Sequence, residues 1–446
     1  MEPTYALHSR RCWIDGALTE ATVEVRGDKI HRVRAGRHAH QQLIELGSAV
    51  LMPGLIDAHV HVNEPGRTEW EGFDTATRAA ACGGIATIVD MPLNSSPVVT
   101  NPEALRQKTE AAQGKLHVNC GFWAGYTGGP LSDLEALLDA GCLGVKVFLV
   151  HSGIDEFPNV TEADLHRAMP LIARKGSKLL AHCELAPDTA PPAPADPRSY
   201  PAYLASRPKQ WENEAIRMMI RLCGQYDCPT HIVHLSSAEA LPAIAEARKR
   251  GLPLTVETCP HYLYFHADAI PDGQPLYKCA PPIRERANNE ALIAGIKAGV
   301  IGFLASDHSP APPAIKELDS GNLMKAWGGI AGLQFLLPAS WTALRGHLSL
   351  EEFIPLVTSR PARFIGAERS KGLIKEGFDA DLAAWIPEEE EIIDESAVWH
   401  RHKASPYIGQ NLAGKVEMTA VNGRVVYWEG AMREEKVGKT VFTDRI

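Results

Sequence analysis

The chain has 446 residues, of which 45% are hydrophobic and 22% are charged, so it can bury a large core and is not intrinsically disordered. Its net charge is -9, from 45 Lys and Arg against 54 Asp and Glu. This acidic balance offers no electrostatic attraction to nucleic acid or to an anionic membrane, and neither is expected as a partner.

The cysteines and the N-terminus favour a cytoplasmic protein. Nine cysteines form no Cys-x-x-Cys pair, and several lie in apolar runs, which is typical of reduced, buried thiols. The N-terminus has no apolar core of the signal-peptide type. The longest apolar stretch, 328–344, is interrupted by polar residues and falls short of the length that a bilayer requires. It is predicted to be a buried helix.

From residue 51 to about residue 302, short β-branched runs alternate with helical patterns. Continuous apolar strands separated by helices are typical of a parallel sheet covered by helices, and eight such units can close a barrel. We therefore predict a (β/α)8 barrel of the TIM type over residues 51–371. Its strands are expected at 55–62, 84–91, 116–123, 144–150, 178–184, 230–236, 253–259 and 300–307.

The two ends of the chain, 1–50 and 372–446, contain short alternating runs separated by turns. The clearest turn is Asn422-Gly423 between the runs 416–421 and 424–428, because both residues tolerate the positive φ of a two-residue hairpin. We predict a small β-sandwich-like domain built from both termini. The acidic run 388–391 is expected to form a solvated loop within it.

Candidate metal ligands lie toward the C-terminal ends of the predicted barrel strands, the rim where barrel enzymes carry their active sites. His59 and His61 are two residues apart in one strand, so their side chains point the same way and can bind one ion together. A proline-rich segment, 186–203, is expected to lie over the same rim. The other candidate ligands are Lys146, His182, His234 and Asp307.

Two of these candidates have close neighbours that could be confused with them. His231 and His234 are three residues apart in one strand, and Asp307 and His308 are adjacent, so the members of each pair face different sides. We prefer His234 and Asp307 because they are the better placed toward the catalytic rim.

Lys146 interrupts an otherwise apolar strand, and a buried lysine needs a partner. One explanation is an ion pair with a carboxylate. The other is carboxylation by CO2, which would convert the ammonium into an anionic carbamate that bridges two cations. With the carbamate, four histidines, one lysine and one aspartate could hold two metal ions about 3.5–4 Å apart.

Several motifs together resemble the cyclic amidohydrolase family and, within it, the allantoinase branch. The resemblance covers nearly the whole chain and implies a binuclear metal centre held by the six candidate ligands, with Lys146 carboxylated. It also implies zinc as the metal, with cobalt, manganese or iron as alternatives. The motifs are GLIDAHVHVNEPGRTEWEGF (54–73), DMPLNSSP (90–97), KVFLVHSGIDEFPNV (146–160), SDHSP (306–310) and MKAWGGIAGLQF (324–335).

Differences from the other branches of the family make the resemblance to the allantoinase branch more specific. Asn63 stands where dihydroorotases are expected to have arginine, and Leu93 interrupts their Met-Pro-Asn motif. His151 stands where hydantoinases usually have tyrosine. Ala311 replaces a cysteine of many allantoinases, which affects loop packing or rate and not the class of reaction.

The resemblance implies hydrolysis of the cyclic amide of allantoin to allantoate. Asp307 is the expected proton acceptor and donor, and His151 is expected to stabilise the oxyanion. Asn63, Asn94 and Ser309 are candidate substrate contacts. Alternatives are a hydantoinase or dihydropyrimidinase and, more remotely, a non-catalytic interaction protein on the same scaffold. The resemblance also implies that the protein is a homo-oligomer, specifically a homotetramer.

Overall fold

The computed structural model describes residues 4–187 and 194–443. The chain begins with a group of short strands, the first two of which are joined by a tight turn in which Asp15 and Gly16 both have positive φ. These strands are β1 (Thr4–Ile14), β2 (Ala17–Arg26), β3 (Lys29–Ala35), β4 (Leu43–Glu45) and β5 (Val50–Pro53).

Strands and helices then alternate as predicted. All eight predicted barrel strands are present but shorter, and the third is divided into β8 and β9. The strands are β6 (Leu55–Val60), β7 (Ile85–Asp90), β8 (Asn119–Phe122), β9 (Ala124–Gly125), β10 (Val145–Phe148), β11 (Leu179–His182), β12 (Thr230–Ile232), β13 (Leu254–Thr258) and β14 (Phe303–Leu304). The helices are α1 (Phe73–Cys82), α2 (Pro102–Ala112), α3 (Leu131–Asp139), α4 (Glu162–Arg174), α5 (Tyr200–Ser206), α6 (Lys209–Tyr226), α7 (Leu241–Lys249), α8 (Pro260–Tyr264) and α9 (Arg286–Lys297).

These strands pair in parallel and in chain order around a ring. They form two hydrogen-bonded ladders, which are separated at Trp123 between β8 and β9. The ladders are β6-β7-β8 and β9-β10-β11-β12-β13-β14. The first and last strands meet where the His61 amide donates to the His308 carbonyl at 2.8 Å, beside a parallel bridge from Val60 to His308. The architecture is a TIM-type (β/α)8 barrel, as predicted, with its ladder interrupted at Trp123 and closed between the last and first strands by the bridge at His308.

The remaining elements are three helices followed by five strands, the last of which pairs with a barrel strand. The first helix lies within the predicted apolar stretch and is buried. No helix in the described part of the chain is long and apolar enough to cross a membrane. The elements are α10 (Leu336–Leu344), α11 (Leu350–Val357), α12 (Ser359–Phe364), β15 (Leu382–Ile392), β16 (Asn411–Val421), β17 (Arg424–Trp428), β18 (Ala431–Met432) and β19 (Thr440–Val441).

Strands from both termini form one nine-stranded sheet, here called the terminal sheet. Its order is β18-β17-β16-β15-β5-β1-β2-β3, and β4 pairs with β1. The predicted hairpin is present, with Asn422 and Gly423 at φ 49° and 74°. The predicted loop at 388–391 is wrong, because these residues lie in β15, whose partner β16 lies far along the sequence.

The strands at the two ends of the chain do not follow the predicted domain boundaries at residues 50 and 372. β5 extends past residue 50 and pairs with β1 and β15. β19 returns to the barrel, where Thr440 pairs in parallel with Cys120 of β8. The C-terminal segment therefore contributes to both sheets.

An apolar cluster occupies the barrel on the N-terminal side of the candidate site. Leu180 precedes His182 by two residues in β11, so the two side chains share a strand face, and Ala305 of the same cluster lies two residues before Asp307. Trp123 closes the cluster, and its indole N–H donates to the carbonyl of Ala58 at 2.9 Å. The polar residues are therefore supported on a packed apolar layer.

Candidate metal centre and cavity

His59 and His61 lie at the C-terminal end of the first barrel strand. His59 belongs to β6 and His61 follows its last residue. The two residues are 1% and 5% exposed, and their ring centroids lie 5.6 Å apart. The strand periodicity therefore brings the two imidazoles together, as the sequence predicted.

His182, His234 and Asp307 approach the first two histidines from strands on other sides of the ring. His182 ends β11, and its ring centroid lies 4.7 Å from that of His234. Asp307 Oδ1 lies 3.2 Å from His59 Nε2 and 3.5 Å from His61 Nε2. Ligand atoms of His59, His234 and Asp307 all lie within 4.8 Å of one another. This geometry makes a candidate metal site.

The backbone turns sharply where these strands end. His234 and Asp307 have φ values of 38° and 45°, and Asn63 and Asn94 have values of 69° and 67°. Among residues other than glycine, Asn, Asp and His adopt positive φ most readily. These four positions therefore suit the sharp turns that follow the strands.

Lys146 lies in β10 and is fully buried. Its Nζ lies 5.0 Å from the centroid of the Phe148 ring and has no hydrogen-bond partner among the described residues. The ion pair considered from the sequence is therefore not formed. Burial lowers the pKa of Lys146 to about 8, so its neutral amine form is a minor species near neutral pH but far more populated than in an ordinary lysine.

His61 and Asp307 have the protonation states that metal ligands need. Burial lowers the pKa of His61 to about 4, so its ring is neutral at pH 7. Burial raises the pKa of Asp307, but the neighbouring imidazoles of His59, His61 and His234 outweigh it and hold that pKa well below its ordinary value. His59 Nε2 and His234 Nδ1 are buried and make no hydrogen bond to the described residues. These imidazole nitrogens and one carboxylate fit a divalent cation.

Buried side chains contact the opposite nitrogens of three of the histidines. His59 Nδ1 donates to Glu257 Oε1 at 2.5 Å, and His182 Nε2 donates to Glu184 Oε2 at 2.8 Å. The Asn94 amide nitrogen lies 3.4 Å from His61 Nδ1. Such partners orient metal-binding histidines. Sequence reasoning missed both glutamates, although each is a charged residue in an apolar run.

The choice between neighbouring candidates agrees with their positions. His231 lies away from the cavity, where its Nε2 is 3.2 Å from Glu257 Oε2 and its ring stacks on Phe303. His308 is fully buried, with its Nε2 3.4 Å from Glu71 Oε2. His234 and Asp307, in contrast, both line the cavity.

The candidate ligands lie in a cavity of about 820 Å³. Its wall includes Asn94, Ser309 and His151, three of the predicted contacts. The His151 side chain is 56% exposed, and its Nε2 lies 3.3 Å from Asp155 Oδ1. In the proline-rich segment, residues 188–193 lie outside the described residues, while Tyr203 lines the cavity.

Asn63 does not line this cavity, in contrast to its prediction as a substrate contact. It is fully buried, and its side-chain amide donates to the Pro310 carbonyl at 3.4 Å. Its positive φ and this contact give it a structural role in the turn after β6.

Comparisons with known proteins agree with this site. A model of the amidohydrolase family matches residues 50–426. Allantoinase from Arabidopsis thaliana is 42% identical over 97% of this chain and 90% of its own length, and allantoinase from Streptomyces avermitilis is 44% identical over 96% and 97%. Allantoinase from Saccharomyces cerevisiae is 37% identical over 97% of this chain and 92% of its own length.

Solved structures show the same architecture. L-hydantoinase (dihydropyrimidinase) from Arthrobacter aurescens is 29% identical, with a TM-score of 0.91 over 98% of this chain and 100% of its own. Dihydropyrimidinase from Brevibacillus agri is 25% identical, with a TM-score of 0.88 over 98% of each chain. The family model and the relatives cover nearly all of the barrel, including every candidate ligand. The chain belongs to the amidohydrolase family.

Proposed function

We propose that this protein hydrolyses the cyclic amide of allantoin to give allantoate. The observation that carries this proposal is identity of 37–44% to curated allantoinases over at least 96% of the chain. The candidate metal centre at the floor of a large cavity supports it, because a ring amide is unreactive toward water without such assistance.

We propose that His59, His61, His182, His234, Asp307 and Lys146 hold two divalent cations, with Lys146 carboxylated by CO2. Zinc fits the mixed donor set, and cobalt, manganese or iron are alternatives. When bound, the two cations would make a water molecule more acidic and polarise the substrate carbonyl. The lowered pKa of Lys146 supports carboxylation, because the neutral amine is the form that reacts with CO2.

Residues of the cavity wall would carry out the proton transfer and bind the substrate. Asp307 would accept the proton of the attacking water at Oδ and return it to the leaving ring nitrogen. His151 would donate a hydrogen bond to the oxygen that becomes negatively charged. Asn94 and Ser309 would bind the ring or its ureido group, since both line the cavity.

A hydantoinase or dihydropyrimidinase is the second candidate, since the structural neighbours include such enzymes at 25–29% identity. The higher identity to allantoinases favours allantoin. A non-catalytic protein of the same fold would be expected to lack ligands, whereas all six are present here. A cytoplasmic location, expected from the cysteines and the N-terminus, and a homotetramer, implied by the resemblance, complete the proposal.

The test is metal analysis of purified protein together with turnover of three ring substrates: allantoin, hydantoin and dihydroorotate. We expect two metal equivalents per chain and the highest kcat/KM for allantoin. A much higher kcat/KM for hydantoin or dihydroorotate would overturn the substrate assignment. Metal-free protein with full activity would overturn the proposed role of the six ligands.

A further inference from the structure

Glu184 is a fully buried carboxylate placed two residues after His182. It does not line the cavity, yet its Oε2 accepts the hydrogen bond from His182 Nε2 at 2.8 Å. A neutral imidazole carries one proton, so a carboxylate acceptor at Nε2 selects the tautomer whose lone pair is on Nδ1. The ring nitrogen available to a metal is thereby fixed by Glu184.

Two further contacts restrict how the His182 ring can move. The ring stacks on Phe148, with centroids 4.5 Å apart and an interplanar angle of 14°. This stacking opposes tilting of the ring, and the bond to Glu184 opposes rotation within its plane. Together they leave His182 a single orientation next to the imidazole of His234.

Arg207 holds the carboxylate of Glu184 from the other side. Its Nε donates to Glu184 Oε1 at 3.0 Å, and its Nη2 donates to Oε2. Unlike Glu184, Arg207 is 23% exposed and lines the cavity, just after α5. Its carbonyl accepts a hydrogen bond from Arg284 Nη1 at 2.7 Å, which anchors the arginine backbone. A two-point arginine contact of this kind fixes the plane of a carboxylate.

We propose that Glu184 is a positioning residue that holds His182 as the Nε2–H tautomer, with Nδ1 directed to the metal centre, and that Arg207 fixes Glu184 in this role. The inference rests on the metal-binding role proposed for His182. It extends that role by linking a metal ligand, through one buried carboxylate, to an arginine in the cavity wall.

The Glu184→Gln variant tests the proposal without a change of size. A glutamine amide can donate to Nε2, which would stabilise the Nδ1–H tautomer and remove the lone pair from Nδ1. Loss of such an outer partner typically weakens metal binding by about 10–100-fold. We expect a loss of zinc affinity in this range in competition with a chelator, and an altered visible spectrum of the cobalt-loaded protein.

A matched control is available in the same cavity. Arg67 also lines the wall, and its Nη2 pairs with Glu156 Oε1 at 2.6 Å, but Glu156 is exposed and contacts no candidate ligand. The Glu156→Gln variant should therefore retain wild-type zinc affinity and the wild-type cobalt spectrum. A similar loss in this control would show that any carboxylate paired with an arginine of the cavity wall matters, and would overturn a specific role for Glu184.

Nitrogen-15 spectra of the histidines in metal-free protein test the tautomer directly, with the His182 signals assigned from a His182→Gln variant. We expect Nε2–H in the wild type and a shift toward Nδ1–H in Glu184→Gln. The same tautomer and the same zinc affinity in both proteins would overturn the proposal. If wild-type protein binds no metal, the proposed function fails, while the tautomer of His182 still tests Glu184.

The Arg207→Gln variant provides a second route if Glu184→Gln does not fold. It leaves the carboxylate in place but removes its two-point contact, so a smaller loss of zinc affinity in the same direction is expected. Wild-type zinc affinity in a folded Arg207→Gln protein would show that Arg207 is not needed to position Glu184. Circular dichroism establishes folding for each variant.

Discussion

Asp307 is the only acidic side chain in the cavity wall among the described residues. It lies within 3.5 Å of the Nε2 atoms of both His59 and His61, and its pKa is well below the ordinary value because of the surrounding imidazoles. It is therefore ionised at neutral pH and is the one carboxylate in the wall able to accept a proton from water close to the substrate.

Replacement of Asp307 by asparagine should keep the fold and metal content but lower kcat by about 10²–10⁴-fold, because an amide cannot accept the proton. Steady-state kinetics with allantoin and metal analysis of the same sample measure the two effects separately. Turnover close to that of the wild type would remove Asp307 from the role of the base.

Lys146 offers a second test at the residue scale. Lys146→Ala should lose the metal ions and the activity, and a short carboxylic acid added to the solution should partly restore both by occupying the space between the cations. Lys146→Arg should not be rescued, because its guanidinium keeps the charge and fills that space. Metal content and allantoin turnover, with and without the acid, are the measurements.

Lys178 provides the control for this rescue. It is also a lysine whose pKa is lowered to about 8 by burial, but its Nζ donates to the Phe364 carbonyl, away from the cavity. Lys178→Ala should retain metal and show no response to the acid.

A separate test of Lys146 is structural. A crystal structure of active, metal-loaded protein with unmodified Lys146 would contradict the proposed carboxylation of this lysine.

At the scale of elements, the β16–β17 hairpin shows how a local signal and a tertiary contact coincide. Asn422 and Gly423 adopt the positive φ values predicted from the sequence. The turn is also packed against another turn, because a Cβ at Gly423 would collide with the carbonyl oxygen of Gly27. Glycine at this position therefore meets two separate requirements.

Gly423→Ala should lower the free energy of unfolding by more than Gly430→Ala does. Both glycines have positive φ, 74° and 83°, but an added Cβ at Gly430 would have no atom of the described residues within 4 Å. We expect about 1 kcal/mol for Gly430→Ala from backbone strain, and a further 1–3 kcal/mol or so for Gly423→Ala from the collision. Urea denaturation measures both, and equal effects would contradict the packing argument.

The acidic run 388–391 is an element whose structure the sequence did not indicate. Four consecutive glutamates suggested a solvated loop, yet they continue β15, where ion pairs link Glu388 to Arg11 and Glu389 to Lys415. A charged strand segment has no apolar alternation from which to recognise it. Its conformation is set by pairing with β16, which begins at Asn411.

At the scale of the whole molecule, buried histidines make stability depend on pH. Burial lowers the pKa of His61 and His261 to about 4 and that of His400 to about 3, from an ordinary value near 6.5. Between pH 6.5 and about pH 4, these histidines bind more protons in the unfolded chain than in the folded protein. Their contribution therefore makes the free energy of unfolding fall as pH falls through this range. Asp57 and Glu212, whose pKa values burial raises to about 7, act in the opposite direction.

We expect the free energy of unfolding of metal-free protein to decrease between pH 6.5 and 5. His261→Leu should reduce the slope by up to about 1.4 kcal/mol per pH unit, the contribution of one proton. Urea denaturation at several pH values measures this. His347→Leu, at an exposed position, is the control and should leave the slope unchanged. An unchanged slope in His261→Leu would contradict the prediction.

The sequence by itself determined the order of the barrel strands and the residues at their ends. Apolar runs identify the strands, and a period of two places His59 and His61 on one side, because both patterns are properties of a single segment. Position at the end of a strand then indicates His182 and Asp307, since parallel strands of a barrel end at one rim.

Only the tertiary structure decided which side chains support these residues from elsewhere in the chain. Glu257 reaches His59 across 198 positions of sequence, and Arg207 reaches Glu184 from beyond the proline-rich segment. Asn63, which the motif suggested for substrate, turns out to be buried in the turn. Local periodicity fixes the face of a strand that a residue occupies, but the partners on that face come from distant segments, and only folding brings them into contact.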